Sequence, residues 1–186
     1  MQWSKLKKRV EENFAESIKG RIEIFTTSYR RQGEIARSWV VIDGKQGISL
    51  TDYESWSEQG AYFHELTPTD CLKHKSVDGL ERTVGSLYEA GEFSSYDFKI
   101  ICFESLSLSA HDCIKSEHPL LRVIGVLHRK LGKAKVNEML NDPHPMVVYF
   151  ADFRIKAEAE ADDLSQYLKP FPDNKLDTAL KNQEIP

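Results

Sequence analysis

The sequence has few cysteines and no cysteine pattern. Its 186 residues include only Cys71, Cys102 and Cys113, an odd number with no Cys-x-x-Cys pair. This excludes a disulfide framework and a cysteine-based zinc knuckle, and it is typical of a protein in a reducing compartment. We expect the three cysteines to be small buried side chains.

Long apolar runs are absent as well. No stretch approaches the roughly 18 consecutive apolar residues that a membrane-spanning helix requires. The opening residues 1–7 carry charge where a signal peptide needs its apolar segment. The sequence therefore predicts a soluble protein in the cytoplasm that does not insert into a membrane.

Positive charge is not in excess. The formal net charge is −4, with 40% hydrophobic and 29% charged residues, as in an ordinary soluble globule. This balance argues against binding to a phosphate backbone as the main activity. Basic residues nevertheless concentrate near the N-terminus and acidic ones after residue 157, which fits either solvated faces or a basic patch for an acidic partner. No glycine-rich phosphate loop and no Gly-x-Ser-x-Gly motif occurs, and we predict no cofactor.

Residues 1–51 predict a helix followed by a small antiparallel sheet. β-branched runs over 21–29 and 38–42 predict two strands, and Asp43-Gly44 predicts a tight hairpin leading to a third strand at 48–50. A sheet this small needs a helix on its apolar face. That helix is predicted over residues 3–18, before Gly20, from apolar residues at helical spacing: Trp3, Leu6, Val10, Phe14 and Ile18.

Helix signals replace strand signals over residues 52–163. We predict helices that begin near Thr51 or Asp52, near Ser76, at Ser94 or Ser95, and at Ser109, where Ser109 and Asp112 have the layout of a capping box. The expected fold class is α+β, with the helical part forming one cooperative domain with residues 1–51. The apolar period fades after residue 163, so residues 164–186 are predicted to be a tail.

A His-Pro pair occurs twice at a predicted helix start. His118-Pro119 and, 26 positions later, His144-Pro145 each precede an apolar stripe. We predict helices over 119–131 and 145–157, with a short helix over 133–140 between them, stacked as a repeat-like array. Each imidazole could accept hydrogen bonds from backbone N–H groups at the helix start or point to water. Alternatively, both histidines form a pH-sensitive or ligand-binding row along one edge of the stack.

The sequence resembles known proteins in two respects, one in a single helix and one over the whole chain. The helix Pro119 to Gly132, with Arg122 after the proline, is similar to the second helix of HEAT-type repeats, although Val148 replaces that arginine in the second copy. The whole chain resembles an uncharacterised family of bacterial proteins of about this length. The matching segments are Trp3-Ser4-Lys5-Leu6-Lys7, Thr27-Ser28-Tyr29-Arg30, Ser95-Tyr96-Asp97-Phe98 and Pro119 to Gly132. The resemblance implies a bacterial cytosolic origin and carries no catalytic residues.

The adjacent pair His111-Asp112 raises the possibility of a metal site. It resembles the central pair of HD-type phosphohydrolases, in which a bound metal activates water. The ligands would be His74, His111 and Asp112, with Asp142 or Asp152 after them. The alternative is that Asp112 belongs to the helix cap at Ser109. Cys71, three residues before His74, is either buried or made reactive by a helix N-terminus.

Aromatic residues concentrate around the predicted junction of sheet and helices. They are either core or, where exposed, a protein-binding site: Trp39, Tyr53, Trp56, Tyr62 and Phe63. The sequence therefore favours a non-enzymatic protein-binding factor with an unidentified protein partner, of immunity or other neutralising type, with His118 and His144 as further candidate contacts. The alternatives are the metal-dependent phosphohydrolase and a nucleic-acid-associated accessory protein that uses the basic N-terminal helix.

Overall fold

The computed structural model describes residues 2–28, 36–51, 87–88 and 92–167, and of residue 51 and residues 164–167 it describes the backbone alone. Within them the fold is α+β, as predicted: one helix, a three-stranded antiparallel sheet and then a helical part. The predicted helices that begin near Thr51 and Ser76 lie outside the described residues. So do Tyr53, Trp56, Tyr62, Phe63, Cys71 and His74.

The sheet has the order β1 (Ile22–Ser28), β2 (Ala36–Ile42) and β3 (Lys45–Thr51). Asp43 and Gly44 join β2 to β3 with φ of +48° and +74°. Positive φ at both central residues is what a type I′ hairpin turn requires, so this prediction is confirmed. The predicted 21–29 was one residue too long at each end of β1. Strands β2 and β3 are longer than predicted, because the ladder extends to Ala36 opposite Ser28 and to Lys45 opposite Ile42.

The first helix, α1 (Trp3–Glu11), is shorter than the predicted 3–18. The chain leaves the helix because its next residues pair with a distant segment. Phe14 bridges to His128, the N–H of Ala15 donates to the carbonyl of Leu127, and the N–H of Arg129 donates to the carbonyl of Asn13. A short 3-10 helix, Glu16–Ile18, completes the connection to β1.

The helical part continues with α2 (Ser95–Glu104), α3 (Ala110–Ile114), α4 (Pro119–Leu127), α5 (Lys133–Glu138) and α6 (Pro145–Tyr167), with a 3-10 helix at Met139–Asn141. Ser94 and Ser109 cap α2 and α3 as predicted, since each hydroxyl accepts from the backbone N–H three residues later. The prediction of 119–131 for α4 was too long, because His128 joins the bridge to Phe14. The prediction of 145–157 for α6 was too short, because the alanine- and glutamate-rich sequence that follows favours helix.

One hydrophobic core joins both parts of the chain. It lies between the inner face of the sheet and helices α1, α2, α4 and α6 and includes Val10, Ile24, Leu50, Val126 and Phe150. Among the described residues, no helix combines the length and the apolar character needed to cross a membrane.

Candidate functional site

Trp39 lies on the face of the sheet turned away from the core. Burial alternates along β2, with Ala36, Ser38, Val40 and Ile42 buried and the residues between them half-buried. Phe25 is opposite Trp39 in the register, and the two rings stack with centroids 5.3 Å apart and an interplanar angle of 11°. We call this surface the outer sheet face: Phe25, Arg37, Trp39, Val41 and Ser49.

Two cations lie over the two rings. Cζ of Arg37 is 5.3 Å from the centroid of Trp39, and Nζ of Lys7 is 3.6 Å from that of Phe25. Nζ of Lys7 also forms ion pairs with two carboxylates, at 3.5 Å from Oε1 of Glu11 and 3.8 Å from Oε2 of Glu23. Arg37 instead donates to neutral oxygens, Oε1 of Gln46 at 2.7 Å and Oγ of Ser49 at 3.2 Å. Within the described part of the chain Arg37 has no carboxylate partner, so its charge is not neutralised there.

Helix α1 is held against the free edge of β1 by Glu11. Oε1 of Glu11 accepts from the backbone N–H of Ile24 at 2.9 Å, which satisfies an edge-strand donor. Burial raises the pKa of Glu11, while the bond from Ile24 and the charge of Lys7 act in the opposite direction. The contact places Lys7 at the rim of the outer sheet face.

His118 and His144 occupy equivalent positions at the starts of α4 and α6. In each, Nδ1 accepts from the N–H two residues later, Leu120 or Met146, at 3.2 Å. The backbone N–H of each histidine donates to the side chain two residues earlier: to Oγ of Ser116 at 3.0 Å for His118, and to Oδ1 of Asp142 at 2.8 Å for His144. The predicted acceptance of backbone hydrogen bonds is what the structure shows.

The two histidines are also brought together in space. Their ring centroids lie 5.6 and 5.8 Å from that of Phe93. His144 is only 5% exposed, and its Nε2 lies 2.6 Å from Oε1 of Glu92. Because Nδ1 accepts, the ring proton of His144 belongs on Nε2, where it can be donated to Glu92. Phe93 further contacts Tyr88, whose hydroxyl bonds to the backbone of Ser49 on β3.

The His111-Asp112 pair is part of a helix cap. The N–H of Asp112 donates to Oγ of Ser109 at 3.1 Å, and that hydroxyl donates to Oδ2 of Asp112 at 2.6 Å. These bonds hold the pKa of Asp112 below its usual range. His74, the third proposed ligand, lies outside the described residues; over residues 2–28, 36–51, 87–88 and 92–167, no group of three potential metal ligands occurs.

Sequence reasoning missed an exposed apolar stripe on α2. Tyr96, Ile100 and Phe103 are 66, 43 and 59% exposed, while Phe98, Ile101 and Cys102 on the same helix are buried. We call the three exposed residues the α2 stripe. Their spacing of four and then three residues was visible in the sequence, but it was not distinguished from the buried face, which has the same helical period.

Comparison with known proteins then places the chain. The model of the SF0329 protein family matches residues 2–155, most of the sequence. The chain belongs to the SF0329 protein family. The matched region holds the outer sheet face, both histidine caps and the α2 stripe. No curated protein and no solved structure matches this SF0329 chain.

Three polar side chains of the SF0329 chain hold the starts of helices. The imidazoles of His118 and His144 are engaged as helix caps, and Asp112 is engaged with Ser109. The outer sheet face, by contrast, combines a stacked aromatic pair with a guanidinium that has no carboxylate partner among the described residues. That combination places two aromatic rings and a guanidinium side by side on one surface.

Proposed function

We propose that this chain is a non-enzymatic protein-binding factor and that the outer sheet face is its docking surface. The observation that carries the proposal is the Phe25–Trp39 stack with Arg37 lying over Trp39. Tryptophan and arginine are enriched among the residues that dominate the energy of protein interfaces. A strand-built platform also presents these side chains in fixed positions, which lowers the entropy cost of binding.

The chemistry of the face selects a partner segment that carries a carboxylate next to an apolar side chain. Hydrogen bonds to Gln46 and Ser49 hold the Arg37 guanidinium in place, so it can bind an anionic group without rearrangement. An arginine can bind a carboxylate with two parallel hydrogen bonds. The apolar neighbour of that carboxylate would pack on the Phe25–Trp39 pair.

The finer form of the proposal is a neutralising, immunity-type protein in the cytoplasm of a bacterium. The bacterial and cytoplasmic part of this form is supported by the resemblance described above, by the absence of a cysteine pattern and by the buried thiols of Cys102 and Cys113. The resemblance of α4 and α6 to a HEAT-type stack belongs to this finer proposal. Two ion pairs offset the basic charge of α1: Lys7 with Glu11 and Lys8 with Glu12. A helix whose positive charge is offset in this way favours a protein partner over nucleic acid.

Site-specific photo-crosslinking tests the docking surface. Benzoylphenylalanine at Val41, beside Trp39 on the outer sheet face, is compared with the same group at Lys156 on α6. In cells that express the protein, we expect position 41 to give a covalent adduct with one protein that position 156 does not give. Arg37→Glu in the position-41 chain should abolish the adduct, while Arg37→Lys should weaken it.

The proposal fails if positions 41 and 156 give the same adducts or if Arg37→Glu leaves the specific adduct intact. Thermal unfolding of both arginine variants serves as the folding control. Arg37 is partly exposed, so its replacement should change the free energy of unfolding by no more than about 1 kcal/mol.

A further inference from the structure

Helix α2 is apolar on two opposite faces. Phe98, Ile101 and Cys102 anchor it in the core, and the α2 stripe lies on the other side of the helix axis. A surface helix normally has one apolar stripe and one polar face. An apolar stripe facing solvent on a helix that is already anchored marks a contact surface.

The charges beside the stripe have an ordered arrangement. At 100° per residue, Lys99 lies on one flank of the stripe, and Asp97 and Glu104 lie on the other. Asp97 is engaged in the capping box with Ser94, whose N–H and hydroxyl lie 3.0 and 2.7 Å from its Oδ2. Within the described residues, neither Lys99 nor Glu104 forms an ion pair. One cation and one anion therefore flank the stripe, five residues apart.

This pattern matches that of parallel two-helix contacts over a little more than one heptad. The stripe residues Tyr96, Ile100 and Phe103 have the spacing of a helix seam, and Lys99 and Glu104 occupy the two positions that flank it. In a parallel pair, a residue on the Lys99 flank meets the residue five positions later on the opposite flank of the other helix. Lys99 would then meet the partner subunit's Glu104, and two-fold symmetry would form this pair twice.

We propose that the α2 stripe is a self-association surface through which two copies of this chain pair with their α2 helices parallel. An antiparallel pair brings like flanks together, with Lys99 near the partner subunit's Lys99, and is disfavoured by charge repulsion. The fixed cap at Ser94 and the buried face of α2 present the stripe on a rigid helix, so pairing needs no rearrangement. The contact is small, and the dimer is concentration-dependent. This proposal is independent of the outer sheet face.

Sedimentation of the full chain tests the pairing. Between about 1 and about 300 µM, we expect the wild type to change from monomer to dimer. Ile100→Lys should remain monomeric over this range with an unchanged unfolding temperature, because Ile100 is outside the core. Arg37→Glu on the outer sheet face should leave the dimer intact, which separates this proposal from the proposed function. A wild type that remains monomeric throughout, or an Ile100→Lys chain that still dimerises, overturns the proposal.

A charge exchange tests the parallel register. Lys99→Glu and Glu104→Lys should each raise the dimer dissociation constant by about fivefold or more. The double variant restores both attractions and should return to within about twofold of the wild type. Lys130→Glu, an exposed charge reversal beyond the end of α4, is the matched control and should have no effect. A double variant as weak as the single variants contradicts the parallel register.

Crosslinking gives an independent measure of the same register. In a Cys71→Ser background, Phe103→Cys should form a disulfide with the same residue of the partner subunit. Equivalent seam positions face each other all along a parallel pair, whereas an antiparallel pair centred on Ile100 moves the two copies of residue 103 apart. Absence of that crosslink under conditions where the dimer is populated contradicts the parallel register.

Discussion

His118 and His144 pack against one and the same ring, that of Phe93, while each caps its own helix through Nδ1. The repeated His-Pro pair thus has a structural explanation. Each proline begins a helix without needing a backbone donor, and each imidazole accepts from the next free N–H. The shared contact with Phe93 fixes the starts of α4 and α6 relative to each other.

Acid should destabilise the fold through His118. Burial lowers the pKa of His118 from its usual value of 6.5, with a further lowering by Arg122, against the opposing charges of Asp97, Glu104 and Glu92. The unfolded chain therefore binds the proton more tightly. The stabilisation is present above about pH 6.5 and is lost as the pH falls through the lowered pKa of the folded state. Burial also lowers the pKa of His128, so this residue contributes to the same loss of stability in acid.

The measurement is the free energy of unfolding in urea between pH 7.5 and 5. His118→Asn keeps a good helix cap that does not titrate, so this variant should lose less stability on acidification than the wild type. His111→Asn, at an exposed position on α3, is the control and should follow the wild type. Parallel pH curves for the wild type and His118→Asn would contradict this account.

Arg154 is a buried arginine that closes the end of α4. It is 3% exposed, and its guanidinium donates to the carbonyls of Val126, His128 and Leu131 and to the carboxylate of Glu158. Removing it would leave several buried carbonyls without donors. We expect Arg154→Ala to lower the free energy of unfolding by about 3–5 kcal/mol, measured by urea denaturation. Arg129→Ala, at an exposed position nearby, should stay within about 0.5 kcal/mol.

The lysine variant separates charge from geometry. Arg154→Lys keeps the positive charge but cannot reach three carbonyls with one ammonium group, and it should recover only part of the lost stability. Full recovery would show that the positive charge near the end of α4, and not the hydrogen bonds from the guanidinium to the three carbonyls, stabilises the fold.

The described thiols should be unreactive in the folded protein. Burial raises the pKa of Cys102 to about 12 and, with the charges of Asp112 and Glu104, that of Cys113 to about 11. In a Cys71→Ser chain at pH 8, we expect no alkylation by iodoacetamide over an hour, followed by mass spectrometry. The same chain in urea should take up two groups. Rapid labelling of Cys113 in the native protein would contradict the packing of α3 on α4.

Local turn and cap chemistry could be predicted from the sequence because each depends on a few neighbouring residues. Asp43-Gly44 allows the positive φ that the hairpin needs, and Ser109 accepts from an N–H only three residues away. These interactions form in the same way whatever the rest of the chain does. The α+β class follows from the same local patterns.

Long-range partners could not be predicted. The early end of α1 depends on the bridge between Phe14 and His128, and the burial of Arg154 depends on carbonyls 23–28 residues earlier. No local pattern in the sequence identifies such partners. The α2 stripe was missed for a different reason: a helix that is apolar on two faces has no amphipathic period to show which face is buried.

Gly125 is a point of close approach between α3 and α4. A Cβ at residue 125 would lie 2.8 Å from Cβ of Cys113 and 2.9 Å from the backbone nitrogen of Ile114. Backbone cannot move aside cheaply, so Gly125→Ala should lower the free energy of unfolding by about 1–3 kcal/mol, despite the higher helix propensity of alanine. Gly132→Ala is the matched control, because a Cβ at residue 132 would have no atom within 4 Å. Urea denaturation of both variants decides the matter: if Gly125→Ala is as stable as Gly132→Ala, the two helices are not in the close contact that the structure shows.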